Sequence, residues 1–260
     1  MLVVHKTLLY FAFAMPVKLT LQVSLRHRSQ KKCSMKNLFL QKYVPVTTWS
    51  ASNPLTLKPK AITLLYLCIG LVLFGLGESL LITANIGVSP WVVLSQGISI
   101  VTDLTIGEAT FLVSLCVLLL WIPLRQMPGV GTVLNAVILA LVIEFSLPLL
   151  PHPTNAWLQV IQTVLGILIV GVGSGIYLVA HLGAGPRDGL MTGLQKVTKL
   201  PIALVRTSIE IAVVVIGWSL GGTVGLGTVM FALAIGPSVS VGLVIVDKLS
   251  SRKNVAELQV

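Results

Sequence analysis

Few ionisable residues interrupt the apolar stretches of this chain, so each one is informative. Glu78 lies inside "GLGESLL", and Arg187 and Asp188 stand together in "HLGAGPRDGL". Arg206 and Glu210 are one helical turn apart, and Glu108, Glu144 and His181 complete the set. A lone carboxylate in hydrocarbon costs about 2.5–3.5 kcal/mol on insertion scales unless it is paired, protonated or hydrated. Glu78 is therefore a candidate proton- or cation-linked site, with Arg206 as a nearby cation. The alternative is a carboxyl group satisfied by neighbouring Ser and Asn groups. Arg187 and Asp188 are candidates for a substrate ligand and gate, or for capping a helix that starts at Pro186. Arg206 and Glu210 share one helix face and suit a structural ion pair. Glu108 is expected to start a helix and complement its dipole. Glu144 is a second-rank functional candidate, and His181 is read as an interfacial hydrogen-bonding residue.

Bond-making chemistry has little support. GxSxG, HExxH and GxxxxGK[ST] are all missing from the sequence. The three cysteines, Cys33, Cys68 and Cys116, show no CxxC or Cys/His spacing. No enzyme activity, metal or cofactor is expected.

The elements that must position these residues follow from composition. Hydrophobic residues make up 55% of the chain, only 10% is charged, and the mean hydropathy is +0.96. Soluble domains carry roughly 25% charged residues, so the chain is read as an all-α, polytopic membrane helix bundle. The net charge of +10 fits basic loops beside anionic lipid rather than a nucleic-acid surface.

Apolar runs of membrane length occur at about 61–83, 107–124, 130–148, 157–180, 203–220 and 226–247. Lys58 and Lys60 precede the first, Arg125 follows the second, Arg187, Lys196 and Lys199 separate the fourth and fifth, and Lys248, Arg252 and Lys253 follow the sixth. The loops "PHPTNA" and "GGTVG" carry no Lys or Arg. Six crossings place every basic cluster on one side, with both termini cytoplasmic in a cell membrane. Residues 88–102 would be a seventh crossing only if Arg125 were outside, so a short non-crossing helix is expected there.

Residues 1–60 are read as a basic, poorly ordered extension. "RHRSQKKCSMK" is basic, and "TLLYFAFAMPV" resembles the apolar part of a signal peptide but is cut by Pro16 before a convincing cleavage site. Met35 is an alternative start. The remainder divides into 61–150, 151–248 and a cytoplasmic tail, 249–260.

An ungapped offset of 96 residues relates the two membrane segments. It matches Gly70, Gly75 and Gly77 with Gly166, Gly171 and Gly173, then Ala84, Gly87 and Pro90 with Ala180, Gly183 and Pro186. "GVGTV" at 129–133 likewise meets "GLGTV" at 225–229. Each copy holds three crossings, an odd number, so the copies are expected to be inverted repeats. Paired Gly/Pro interruptions in such repeats point to a transporter's binding region. "NIGVSPWVVL" and "HLGAGPRDGL" are thus read as two breaks, each followed by a short helix beginning near its proline. The alternative is a pair of interfacial turns with C-capping glycines. The resulting binding or coupling candidates are Glu78, Asn85, Gly87, Pro90, His181, Gly183, Gly185, Pro186, Arg187, Asp188, Arg206 and Glu210.

At "GLGESLLITANIGVSPW", "GVGSGIYLVAHLGAGPRDGL", "PIALVRTSIE" and "GLGT" the chain resembles the YczE/YyaS/YitT-like bacterial integral membrane proteins. The likeness spans about residues 60–248. It implies a multi-pass cytoplasmic-membrane protein and supplies no catalytic residue. The function expected from the repeat is a secondary-transporter-like carrier of a small solute or ion. The alternative is a non-transporting scaffold or regulator that binds a partner protein. The oligomeric state stays open.

Overall fold

The computed structural model describes residues 44–257. Those residues form α1 (Ala61–Ala84), α2 (Pro90–Thr102), α3 (Ile106–Trp121), α4 (Val130–Ser146), a 3-10 turn (Leu147–Leu149), α5 (Ala156–Ala180), α6 (Pro186–Thr198), α7 (Ile202–Ser219) and α8 (Leu226–Glu257). The sequence "TLLYFAFAMPV", the basic run, Cys33 and the alternative start at Met35 all lie outside the described residues.

Five helices are long and apolar enough to cross a membrane: α1, α4 with its 3-10 extension, α5, α7 and the first part of α8. The expected second span, 107–124, differs. α3 stops at Trp121 and has 16 residues, which at 1.5 Å per residue reaches about 24 Å. It qualifies as a sixth span only together with α2, to which it is bent by 113°. The short helix expected over 88–102 is α2, and its partner is α6. Each has 13 residues and starts on a proline.

α1 and α5 form the centre, with α4 against α1 and α8 against α5. Small residues allow the close approach. A Cβ at Gly70 would lie 2.9 Å from the carbonyl oxygen of Gly173, and one at Gly77 would lie 2.7 Å from that of Gly166. Advancing along α1 therefore means retreating along α5, so the pair is antiparallel. α2 packs on α7, and α6 packs on α3. One correspondence is broken: α3 packs along α4, whereas α7 makes little contact with α8 among the described residues. A Cβ at Gly107 would meet the Ala140 carbonyl oxygen at 2.8 Å, while a Cβ at Gly236 would meet nothing within 4 Å.

The two breaks share a backbone path. Asn85 and His181 end α1 and α5 in the left-handed region, at φ 57° and 53°. Gly87 and Gly183 follow at φ 115° and 113°, a conformation that needs glycine. Each break then clasps the other half: the Gly131 N–H donates to the Leu182 carbonyl at 2.8 Å, and the Gly227 N–H donates to the Ile86 carbonyl at 2.7 Å.

The end of the extension differs from the poorly ordered segment expected up to residue 60: it packs against the bundle. Trp49 stacks on Tyr66 with ring centroids 4.5 Å apart. The Thr63 hydroxyl donates to the Trp49 carbonyl, and the Ala51 N–H donates to the Ala180 carbonyl at 3.1 Å. Aromatic burial and these bonds offset the ordering cost of a polar segment. At the other end, α8 runs past its membrane-length part, Leu226–Ser250, so the described residues of the expected tail, 249–257, are helical.

Candidate functional site

The N-termini of α2 and α6 meet. α2 follows Ser89 and α6 follows Gly185, and neither start has a side-chain cap. Proline at the first helical position removes one free donor from each. The next two N–H groups, of Trp91 and Val92 in α2 and of Arg187 and Asp188 in α6, find no acceptor among the described residues. Both helix dipoles direct their positive ends into this junction.

Arg187 occupies it. Its guanidinium carbon sits 5.3 Å from the centroid of the Trp91 ring, in cation–π range. Its Nη1 lies 3.9 Å from Oε1 of Glu78. Glu78 is fully buried, and neither carboxyl oxygen has a hydrogen-bond partner. The Ser89 hydroxyl lies beside that carboxyl group, is equally buried, and is also unpartnered. Asp188 is held elsewhere, accepting from the Tyr177 hydroxyl at 2.6 Å. The start of α6 is fixed by Trp121, whose Nε1 donates to the Pro186 carbonyl at 3.0 Å and whose ring lies against Gly189. The side chain of Asn135 borders Gly185.

The structure thus gathers Glu78, Pro90, Gly185, Pro186, Arg187 and Asp188. Gly87 lies apart, against Gly225 and Thr228, and Gly183 lies against Thr132 and Gly129. Asn85 and His181 are exposed helix ends, with the His181 Nδ1 3.1 Å from the Ala51 carbonyl oxygen. Arg206 binds Glu210 at 2.9 Å on a partly exposed face of α7. That pair lies within Coulombic reach of Asp188 and Arg187 without touching either. The cation beside Glu78 is therefore Arg187 rather than Arg206. Arg206 is satisfied one turn away, and the break after α5 turns the chain back toward α1. Nor does Asp188 cap α6: Tyr177 holds its carboxylate. Glu108 forms a capping box with Thr105 at the start of α3, and Glu144 lies against Gly107.

Sequence reasoning missed Trp91, Tyr177 and Ser89. Trp91 carried a signal: it stands 96 residues before Arg187, but the two residue types differ, so the identities of the repeat do not mark it. Tyr177 and Ser89 are ordinary polar interruptions in apolar runs.

A family of unknown function, DUF6198, matches residues 61–242. The chain belongs to this family. The DUF6198 match spans α1 through most of α8 and contains every residue of the junction. An uncharacterized protein of Haemophilus influenzae is 43% identical over 206 residues, covering 79% of this chain and 94% of that protein. The uncharacterized membrane protein YczE of Bacillus subtilis is 32% identical over 169 residues, covering 64% and 79%. YyaS of the same organism is 28% identical over 194 residues, covering 73% and 96%. No solved structure matches. The apolar helices and the YczE relationship make this DUF6198 protein a multi-pass membrane protein.

Proposed function

We propose that the protein is a carrier of a small solute in the cell membrane, built from two inverted halves and not acting as an enzyme. The observation that carries this reading is the contact between Trp91 and Arg187. These residues occupy equivalent positions 96 apart. Equivalent residues touch only near a two-fold axis, so the two breaks converge on one point. A buried carboxylate and a guanidinium sit there, at the end of two interrupted segments. Irregular backbone and ionisable groups at membrane depth are the features of a transport site. The antiparallel α1–α5 pair supports inversion of the halves.

The unequal packing supports movement. In an inverted-repeat carrier, one half adopts the conformation that its partner adopts in the opposite state. α3 closed on α4, with α7 apart from α8, is one such state. Its counterpart would bring Ala203 toward Gly236, as Gly107 now meets Ala140.

The test is solute-driven proton movement in reconstituted vesicles loaded with a pH indicator and challenged with a panel of small metabolites. The carrier reading expects at least one solute to move protons through the wild type, and Glu78→Gln to abolish that movement because an amide exchanges no proton. No response to any solute would favour a scaffold that binds a partner protein.

A further inference from the structure

We propose that the junction binds a small monovalent anion, and that this anion takes the place of the Glu78 carboxylate as the counter-ion of Arg187 while Glu78 takes up a proton. The inference rests on the carrier reading for its consequence in transport, and it names the ligand class of that same site.

The unused hydrogen-bonding groups define the ligand. The junction collects donors: the Arg187 guanidinium, the Ser89 hydroxyl, and the free N–H groups at the starts of α2 and α6. Two uncapped helix N-termini and a guanidinium form an anion site. The second observation is independent of the helix ends. Glu78 is fully buried with both oxygens unpartnered, and Ser89 is 1% exposed with a free hydroxyl. At 3.9 Å, Glu78 neutralises Arg187 without forming the short bonds of a committed pair. It is a counter-ion that another anion can replace.

The charges around Arg187 and Glu78 set the stoichiometry. α6 contributes Arg187 and Asp188, with Asp188 tied to Tyr177 of α5. α7 contributes Arg206 and Glu210, which neutralise each other. On α4, Glu144 is turned toward Gly107. Arg187 is thus the cation that Glu78 compensates. With Glu78 ionised, the Arg187–Glu78 pair is neutral, and Asp188, bonded to the neutral Tyr177 hydroxyl, keeps its own formal charge. An entering anion adds one negative charge, and one proton from solvent on Glu78 returns the total to its starting value. One anion and one proton therefore enter together. An anion that takes the place of one carboxylate carries a single negative charge and has a carboxylate's size, which selects a halide, nitrate or a one-carbon carboxylate.

The experiment uses purified full-length protein in lipid nanodiscs, titrated calorimetrically with sodium chloride, nitrate and formate against sodium gluconate. Titration in two buffers of different ionisation enthalpy counts protons. Wild type is expected to bind at least one probe with about one proton taken up, and to weaken by about tenfold per pH unit over the range in which Glu78 ionises. Glu78→Gln is expected to bind about tenfold more tightly or better, with no proton uptake and no pH dependence. Arg187→Gln is expected to lose about tenfold or more. If Arg187→Gln fails to fold, the Glu78→Gln titration decides alone. Absence of binding in both wild type and Glu78→Gln, or binding without proton uptake, overturns the proposal. Binding with proton uptake but no flux in vesicles would leave the site standing and remove the carrier. Proton-coupled flux of another solute, with no anion binding, would do the reverse.

Discussion

Trp91 and Arg187 stand at equivalent places in two matching segments, and the guanidinium of one lies over the ring of the other at 5.3 Å. Trp91 is 5% exposed and belongs to a core cluster with Val113, Trp121 and Leu190. Trp91→Phe should keep most of the contact and cost about 1 kcal/mol, whereas Trp91→Ala should cost about 3–5 kcal/mol. Thermal unfolding in detergent measures both. Equal losses would mean that the ring face contributes nothing to holding Arg187.

The centre of the bundle depends on the close approach of α1 and α5. A Cβ at Gly173 would come within 2.6 Å of the Gly70 carbonyl oxygen. Gly173→Ala should destabilise the protein by about 1–3 kcal/mol through overpacking. Gly236, on α8, faces open space, so Gly236→Ala should be neutral or gain up to about 1 kcal/mol from helix propensity. Melting temperatures of the two variants should move apart. A matched loss would show that the gap beside Gly236 is filled.

Tyr177 positions Asp188 through a 2.6 Å hydrogen bond. Tyr177→Phe leaves a carboxylate without its donor, a loss of about 1–3 kcal/mol. The same variant should weaken anion binding at the junction while Glu78→Gln strengthens it. An unaltered melting temperature would show that Asp188 finds another donor.

Much of this arrangement is legible in the sequence because glycine and proline punctuate it. Gly87 and Gly183 mark backbone that only glycine adopts with ease, and Pro90 and Pro186 mark the helix starts that follow. The Thr105–Glu108 capping box is equally local. What joins the parts is not local. Arg187 reaches Glu78 because the break after His181 folds back, and charge counting along a linear chain carries no such signal. The shortness of α3 was hidden because "WIPLR" continues its apolar run beyond the helix. The packing of Trp49 on Tyr66 was hidden inside a Ser/Thr/Pro-rich stretch that composition alone marks as a linker.

The basic loops predict an orientation. With Cys33, Cys68 and Cys116 replaced, a single cysteine at Thr154 should react with an impermeant reagent added outside the cell, and one at Lys199 only from inside. Labelling of both from the same side would remove the inverted arrangement.

In the proposed carrier the two halves exchange packing around the Glu78–Arg187 site. Leu119 on α3 and Val133 on α4 are exposed, as are their equivalents Val215 on α7 and Val229 on α8. Spin labels on each pair, in protein reconstituted in nanodiscs, report the two gaps by pulsed electron resonance. Exchange predicts two distances for each pair, with the same two values shared between pairs and populated reciprocally, and a shift in the ratio on Glu78→Gln. A single distance for each pair, short for Leu119–Val133, long for Val215–Val229 and unmoved by Glu78→Gln, would contradict it.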